Sequence, residues 1–78
     1  MTDKDKQWLS ERHNVKPEEI TWYHSGICYS RIKVTSKDAA DKVTDSVKGK
    51  YVNGGMFHGM ELGNQTEYKK DGTWEVMV

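Results

Sequence analysis

Apolar positions recur along this chain with a period that changes from segment to segment, and each stretch predicts its own element. Residues 2–13 are polar except for Trp8 and Leu9. Thr2 suits an N-cap, Asp3 and Asp5 fall where the helix dipole favours acid, and Asn14 suits a left-handed exit, so the segment predicts a short helix. A helix of about 12 residues does not hold itself in water. Trp8 and Leu9 must therefore dock on something, with Arg12 one turn later covering the Trp8 edge. The only proline, Pro17, marks the joint where helix-like composition gives way to strand-like.

From Ile20 to Val34 the chain is rich in β-branched and aromatic residues, broken at Ser25-Gly26, which reads as a tight two-residue turn between antiparallel strands. That turn sets a register. Ile20, Trp22 and His24 would face Arg31, Tyr29 and Ile27 on one side, with Lys33 in line, and Thr21, Tyr23, Cys28, Ser30, Ile32 and Val34 would take the other. Residues 36–48 predict a second helix, opened by Ser36 and Asp38 and closed by Gly49. Its narrow stripe of Ala39, Ala40, Val43 and Val47 suits close approach to a sheet. In the remaining residues Asn53-Gly54 signals a hairpin, and Lys70-Asp71-Gly72 turns the chain into residues 73–78, where Trp74, Val76 and Val78 point inward. The expected fold is a single small α+β domain over residues 1–78. Its order is N-terminal helix, β-hairpin, helix and C-terminal β-meander, with at least one helix packed on one face of an antiparallel sheet.

Both faces of the first hairpin carry apolar side chains, yet the small stripe of the second helix covers only one. The face with Cys28, Ile32 and Val34 holds no charge and is the better core candidate. Its opposite leaves Trp22, His24, Tyr29, Arg31 and Lys33 as a candidate partner-binding patch, a composition in which binding surfaces are enriched. The competing expectation is that the first helix folds over this patch and packs Trp8 on Trp22.

Length and charge bound the picture. The chain has 78 residues, with 12 basic and 12 acidic side chains and no net charge. Only 13 residues are Leu, Ile, Val or Phe, a thin core, but without excess charge the chain is expected to fold. A bound partner or a homodimer would supply missing burial. The charge is also uneven: residues 20–37 hold Arg31, Lys33 and Lys37 and no acid, whereas residues 61–78 hold Glu61, Glu67, Asp71 and Glu75 against Lys69 and Lys70. No apolar run approaches a membrane span, and the acid-rich start is not signal-like, so no membrane is expected among the partners. One cysteine, Cys28, excludes an intramolecular disulfide, and the expected location is the cytoplasm.

The sequence offers little catalytic chemistry. On this register His24 and Cys28 point to opposite faces, and His13 and His58 lack ligand spacing to either, so no metal is expected. Cys28 reads as a small buried strand thiol rather than a nucleophile. Gly54 to Gly59 read as turn and bulge positions rather than a phosphate loop, since neither Lys-Ser nor Lys-Thr follows. Met56, Phe57, His58 and Met60 are expected to fill the core or, if exposed, to extend the aromatic hairpin as an adaptable surface. Glu18 and Glu19 have no pocket to desolvate them, so no catalytic residue, no cofactor and no enzymatic activity are expected.

The expectation is thus a non-enzymatic protein-binding module, an inhibitor or adaptor, of a size common among accessory proteins of bacteriophages and mobile elements. The alternative is a single-stranded nucleic-acid-binding domain that uses the same aromatic and basic residues. A homodimer would use either the patch or residues 73–78 as an open sheet edge.

Overall fold

The computed structural model describes residues 1–78. Helix α1 (Asp3–His13) begins and ends where its caps dictate. The Thr2 hydroxyl accepts from the Asp5 N–H at 3.2 Å, the Asp5 carboxylate accepts from the Thr2 N–H at 3.3 Å, and Asn14 leaves at φ 59°. A single 3-10 turn, Pro17–Glu19, leads into β1 (Ile20–His24). Strand β2 (Arg31–Val34) follows, then α2 (Lys37–Ser46), whose Ser36 cap accepts from the Ala39 N–H at 3.1 Å. Strands β3 (Gln65–Tyr68) and β4 (Thr73–Met77) complete an antiparallel sheet of order β1-β2-β4-β3.

Both helices lie on the same face of this sheet. Leu9 of α1 and Ala39, Ala40 and Val43 of α2 are sealed against Ile20, Ile32, Val34 and Val76, with Tyr23, Trp74 and Val78 packed around them. Small residues on α2 let the helix sit close to the strands, and the inward set Trp74, Val76 and Val78 falls where alternation places it. No helix is long and apolar enough to cross a membrane.

The first hairpin departs from its expected register. Its loop spans residues 25–30 rather than Ser25-Gly26 alone, because His24 pairs with Arg31 and Trp22 with Lys33. Gly26 does not take the positive φ that a two-residue turn asks of its glycine. Its lack of a side chain serves a close approach instead, since a Cβ there would collide with the Tyr29 carbonyl oxygen. A β-bulge between Ile20 and Trp22 then reverses the alternation, turning Ile20 into the core beside Val34 while Trp22 stays on the opposite face.

Two further expectations are corrected. Residues 51–61 form no hairpin at Asn53-Gly54. They close as a loop on one isolated Tyr51–Glu61 bridge, because Gly54, Gly55 and Gly59 take φ of 105°, 72° and 86°, values that a strand ladder does not accommodate. Strand β4 is no open edge: it lies between β2 and β3, so the exposed edges belong to β1 and β3.

Candidate functional site

The face of the sheet that neither helix covers carries Trp22 and His24 from β1, Arg31 and Lys33 from β2, Glu75 from β4 and Tyr68 from β3, brought into line by the strand register. The rings and charges form a ladder across it. Trp22 and His24 stack at 5.9 Å with 12° between their planes. The Arg31 guanidinium lies 5.6 Å and the Lys33 ammonium 5.1 Å from the centre of the Trp22 ring, while Lys33 sits 4.2 Å from that of Tyr68. Glu75 accepts from the Tyr68 hydroxyl at 3.2 Å and approaches Arg31 at 3.8 Å. The negative charge of Glu75 beside it pushes the Tyr68 phenol above its ordinary pKa.

Trp8 does not reach this face. Helix α1 lies on the other side, where Trp8 meets Tyr23 edge-on at 5.7 Å, so the expected Trp8–Trp22 contact is replaced by a Trp8–Tyr23 contact. The one buried apolar residue of α1, Leu9, packs with Ile20, Ile32 and Val34 on the covered face, and Trp22 lies on the opposite one beside Lys33.

Tyr29 parts company with the other four residues of the expected patch. It belongs to the loop, not a strand, and meets Phe57 edge-to-face at 5.8 Å. Residues 25–30 and the loop around Gly54–Phe57 thereby enclose a cleft of about 420 Å3. His24 and Arg31 reach its lining from the open sheet face, so cleft and ladder are continuous. Ile27 and Met56 stand at its mouth, at 104% and 97% exposure. Met56, Phe57, His58 and Met60 therefore do not fill the core. Cys28 is no buried strand thiol either: it is half-buried in the cleft wall, where a Cβ on Gly55 would lie 3.0 Å from its Sγ. His24 and Cys28, expected on opposite faces, line the same cleft, and no three His, Cys, Asp or Glu side chains are grouped to hold a metal.

Backbone hydrogen bonds fix both walls. Ser30 and Val78 exchange N–H···O bonds of 2.8 Å, carrying the β2–β4 ladder into the first loop. In the second, the Val52 N–H donates to the Met60 carbonyl at 2.8 Å, and the Gly54 N–H donates to His58 Nδ1 at 2.7 Å. Sequence reasoning puts Ile27 on the patch side and allows an exposed Met56 to extend it, but not their meeting across one cleft, because they come from loops far apart in the chain. The available signal was that both loops lie in stretches without acid, residues 20–37 and 46–60.

Comparison with protein-family models, curated proteins and solved structures returns no match, so the chemistry of this surface alone carries the functional argument.

Proposed function

We propose that this chain is a non-enzymatic protein-binding module, acting as an inhibitor or adaptor. Its contact surface centres on Trp22 and Arg31, with His24 and Lys33 at the rim and Tyr29 in the adjoining cleft. The observation that carries this reading is the full exposure of Ile27 and Met56 at the mouth of an apolar cleft continuous with Trp22 and Arg31. Aliphatic side chains held in solvent beside aromatic and arginine anchors suit a protein partner, whose own apolar groups they would cover. The single unpaired thiol of Cys28 fits a reducing, cytoplasmic setting.

The nucleic-acid alternative draws less support. Lys33 already lies over both Trp22 and Tyr68, Arg31 also lies over Trp22, and His24 stacks beside it, so the ring faces that bases would stack upon are engaged. Glu75 places a negative charge among the cations that would meet phosphates.

The test is affinity capture from a lysate with and without nuclease, using the wild-type chain, Trp22→Ala and, as a control on the exposed side of α2, Lys42→Ala. Nuclease-resistant capture weakened by about 2 kcal/mol in Trp22→Ala alone is expected. Circular dichroism should show that variant still folded. Salt-sensitive quenching of tryptophan fluorescence by oligonucleotides, with capture abolished by nuclease, would favour the alternative.

A further inference from the structure

Resting on the protein-binding reading above, we propose that the cleft between residues 25–30 and 53–58 is an anchor pocket for an acidic peptide segment of the partner. One apolar side chain of that segment would seat between Ile27 and Met56, and a neighbouring carboxylate would pair with Arg31.

Shape supplies the first argument. A cleft of about 420 Å3 accommodates a side chain as large as leucine or phenylalanine. The edge-to-face Tyr29–Phe57 pair and the Cys28 thiol give it an apolar lining that a peptide amide or charged group would not satisfy. Met56 and Ile27 stand on opposite loops, and the unbranched thioether can re-pack around whichever apolar group enters.

Charge supplies the second. Arg31 is the only Lys, Arg, Asp or Glu side chain lining the cleft. Its Nη1 makes one long ion pair to Glu75 at 3.8 Å, its side chain is 42% exposed, and its guanidinium hydrogen-bonds no other side chain or carbonyl. A planar fork of donors at the rim of an apolar pocket is suited to a carboxylate. Both walls come from acid-free stretches, and residues 46–60 add Lys48 and Lys50, so an incoming acidic chain meets no acid from either loop. A basic segment would meet Arg31 with no carboxylate in the cleft lining to offset it.

The experiment is an amide NMR titration of the full chain with three synthetic decapeptides. One is acidic with a central leucine–phenylalanine pair, one has its acids replaced by lysine, and one has its apolar pair replaced by serine. Decathymidine is a fourth arm. The acidic apolar peptide should shift the amides of residues 26–31 and 54–58 saturably, and either peptide replacement should weaken binding at least about ten-fold. Ile27→Asp, Met56→Asp and Arg31→Gln, each retaining a dispersed spectrum, should weaken it by a similar factor. Ile27 and Met56 are exposed, so these two changes leave the core intact. The proposal falls if no saturable shift occurs at millimolar peptide, if shifts lie outside the cleft, or if the lysine peptide binds equally. It also falls if decathymidine binds more tightly at the same amides, or if the free chain dimerises through the cleft and Ile27→Asp makes it monomeric. Partner capture separates the anchor pocket from the protein-binding surface as a whole. Capture weakened by Trp22→Ala but not by Ile27→Asp or Met56→Asp overturns the anchor pocket and leaves the protein-binding reading standing, whereas capture indifferent to all three overturns both.

Discussion

On one face of the sheet Ile32, Val34 and Val76 are sealed by two helices, whereas on the other Trp22, Lys33, Glu75 and Tyr68 lie under no helix at all. The same strands supply both sets through alternate residues, so the difference comes from side-chain chemistry and from the bulge that sends Ile20 one way and Trp22 the other. The covered face is a buried aliphatic cluster edged by Tyr23 and Trp74, and its stability comes from close packing. The open face satisfies itself through cation–π and ion-pair contacts that persist in water, and each of these is weak. Stability is thereby concentrated on one side, as the proposed protein-binding role of the other side requires.

The sharpest break of this contrast is a truncation on the covered side. Ile32 is fully buried between the helices and its neighbouring strands. Ile32→Ala removes buried methyl groups and leaves a cavity, for an expected loss of about 3 kcal/mol in urea unfolding. Trp22→Ala, two sheet positions away on the open face, removes a larger side chain yet should cost only about 1 kcal/mol of stability, since its main partners are the Arg31 and Lys33 cations. Equal losses from the two variants would erase the distinction between the faces.

Acid should attack the covered side almost as strongly. His13 is 2% exposed, and its Nδ1–H donates at 2.8 Å to the Ser46 hydroxyl, which itself donates to the Val43 carbonyl. Burial first, then the positive charges of Arg12 and Lys50, lower its pKa from 6.5 to about 4. A neutral folded histidine means that the unfolded chain binds the extra proton. Its stabilisation is therefore complete above about pH 6.5 and lost as pH falls from there through 4, to a total of about 3 kcal/mol. Urea midpoints measured from pH 7 to pH 4 should fall steeply for the wild type. His13→Asn, which keeps a donor for Ser46, should flatten that slope, and an unchanged slope would relocate the acid sensitivity.

How legible these features were follows their range along the chain. Helix α1 was readable because Thr2, Asp5 and Asn14 act within a few residues of where they stand. The stripe of α2 and the inward set of β4 were readable from periodicity alone. The hairpin register was not, since Ser25-Gly26 carries a local turn signal that loses to longer-range pairing of His24 with Arg31. Asn53-Gly54 misled for a related reason: positive-φ glycines do appear there, but Gly55 and Gly59 share that conformation and break the flanks a hairpin needs. Of the candidate site, Trp22, His24, Arg31 and Lys33 followed from strand alternation. For Tyr29 the same alternation points to the right neighbourhood and the wrong element, because its place depends on Phe57 in a distant loop. The cleft itself exists only in three dimensions.

The smallest change sharpens the contrast from the open side. Glu75 is the single acid among the strand residues of that face, with a side chain 13% exposed against 42% for its partner Arg31. Glu75→Gln keeps the shape and an acceptor for the Tyr68 hydroxyl while removing one negative charge. Because the ion pair is long and half in solvent, unfolding should change by less than about 1 kcal/mol. Binding should respond in the opposite sense to every other variant of this face. With Arg31 released and the face more positive by one charge, the acidic decapeptide should associate faster, and the gain should fade as salt is raised. Stopped-flow association at two ionic strengths reads this directly. A slower association in Glu75→Gln would mean that Glu75 holds Arg31 in its binding position, making the acid part of the site rather than its counterweight.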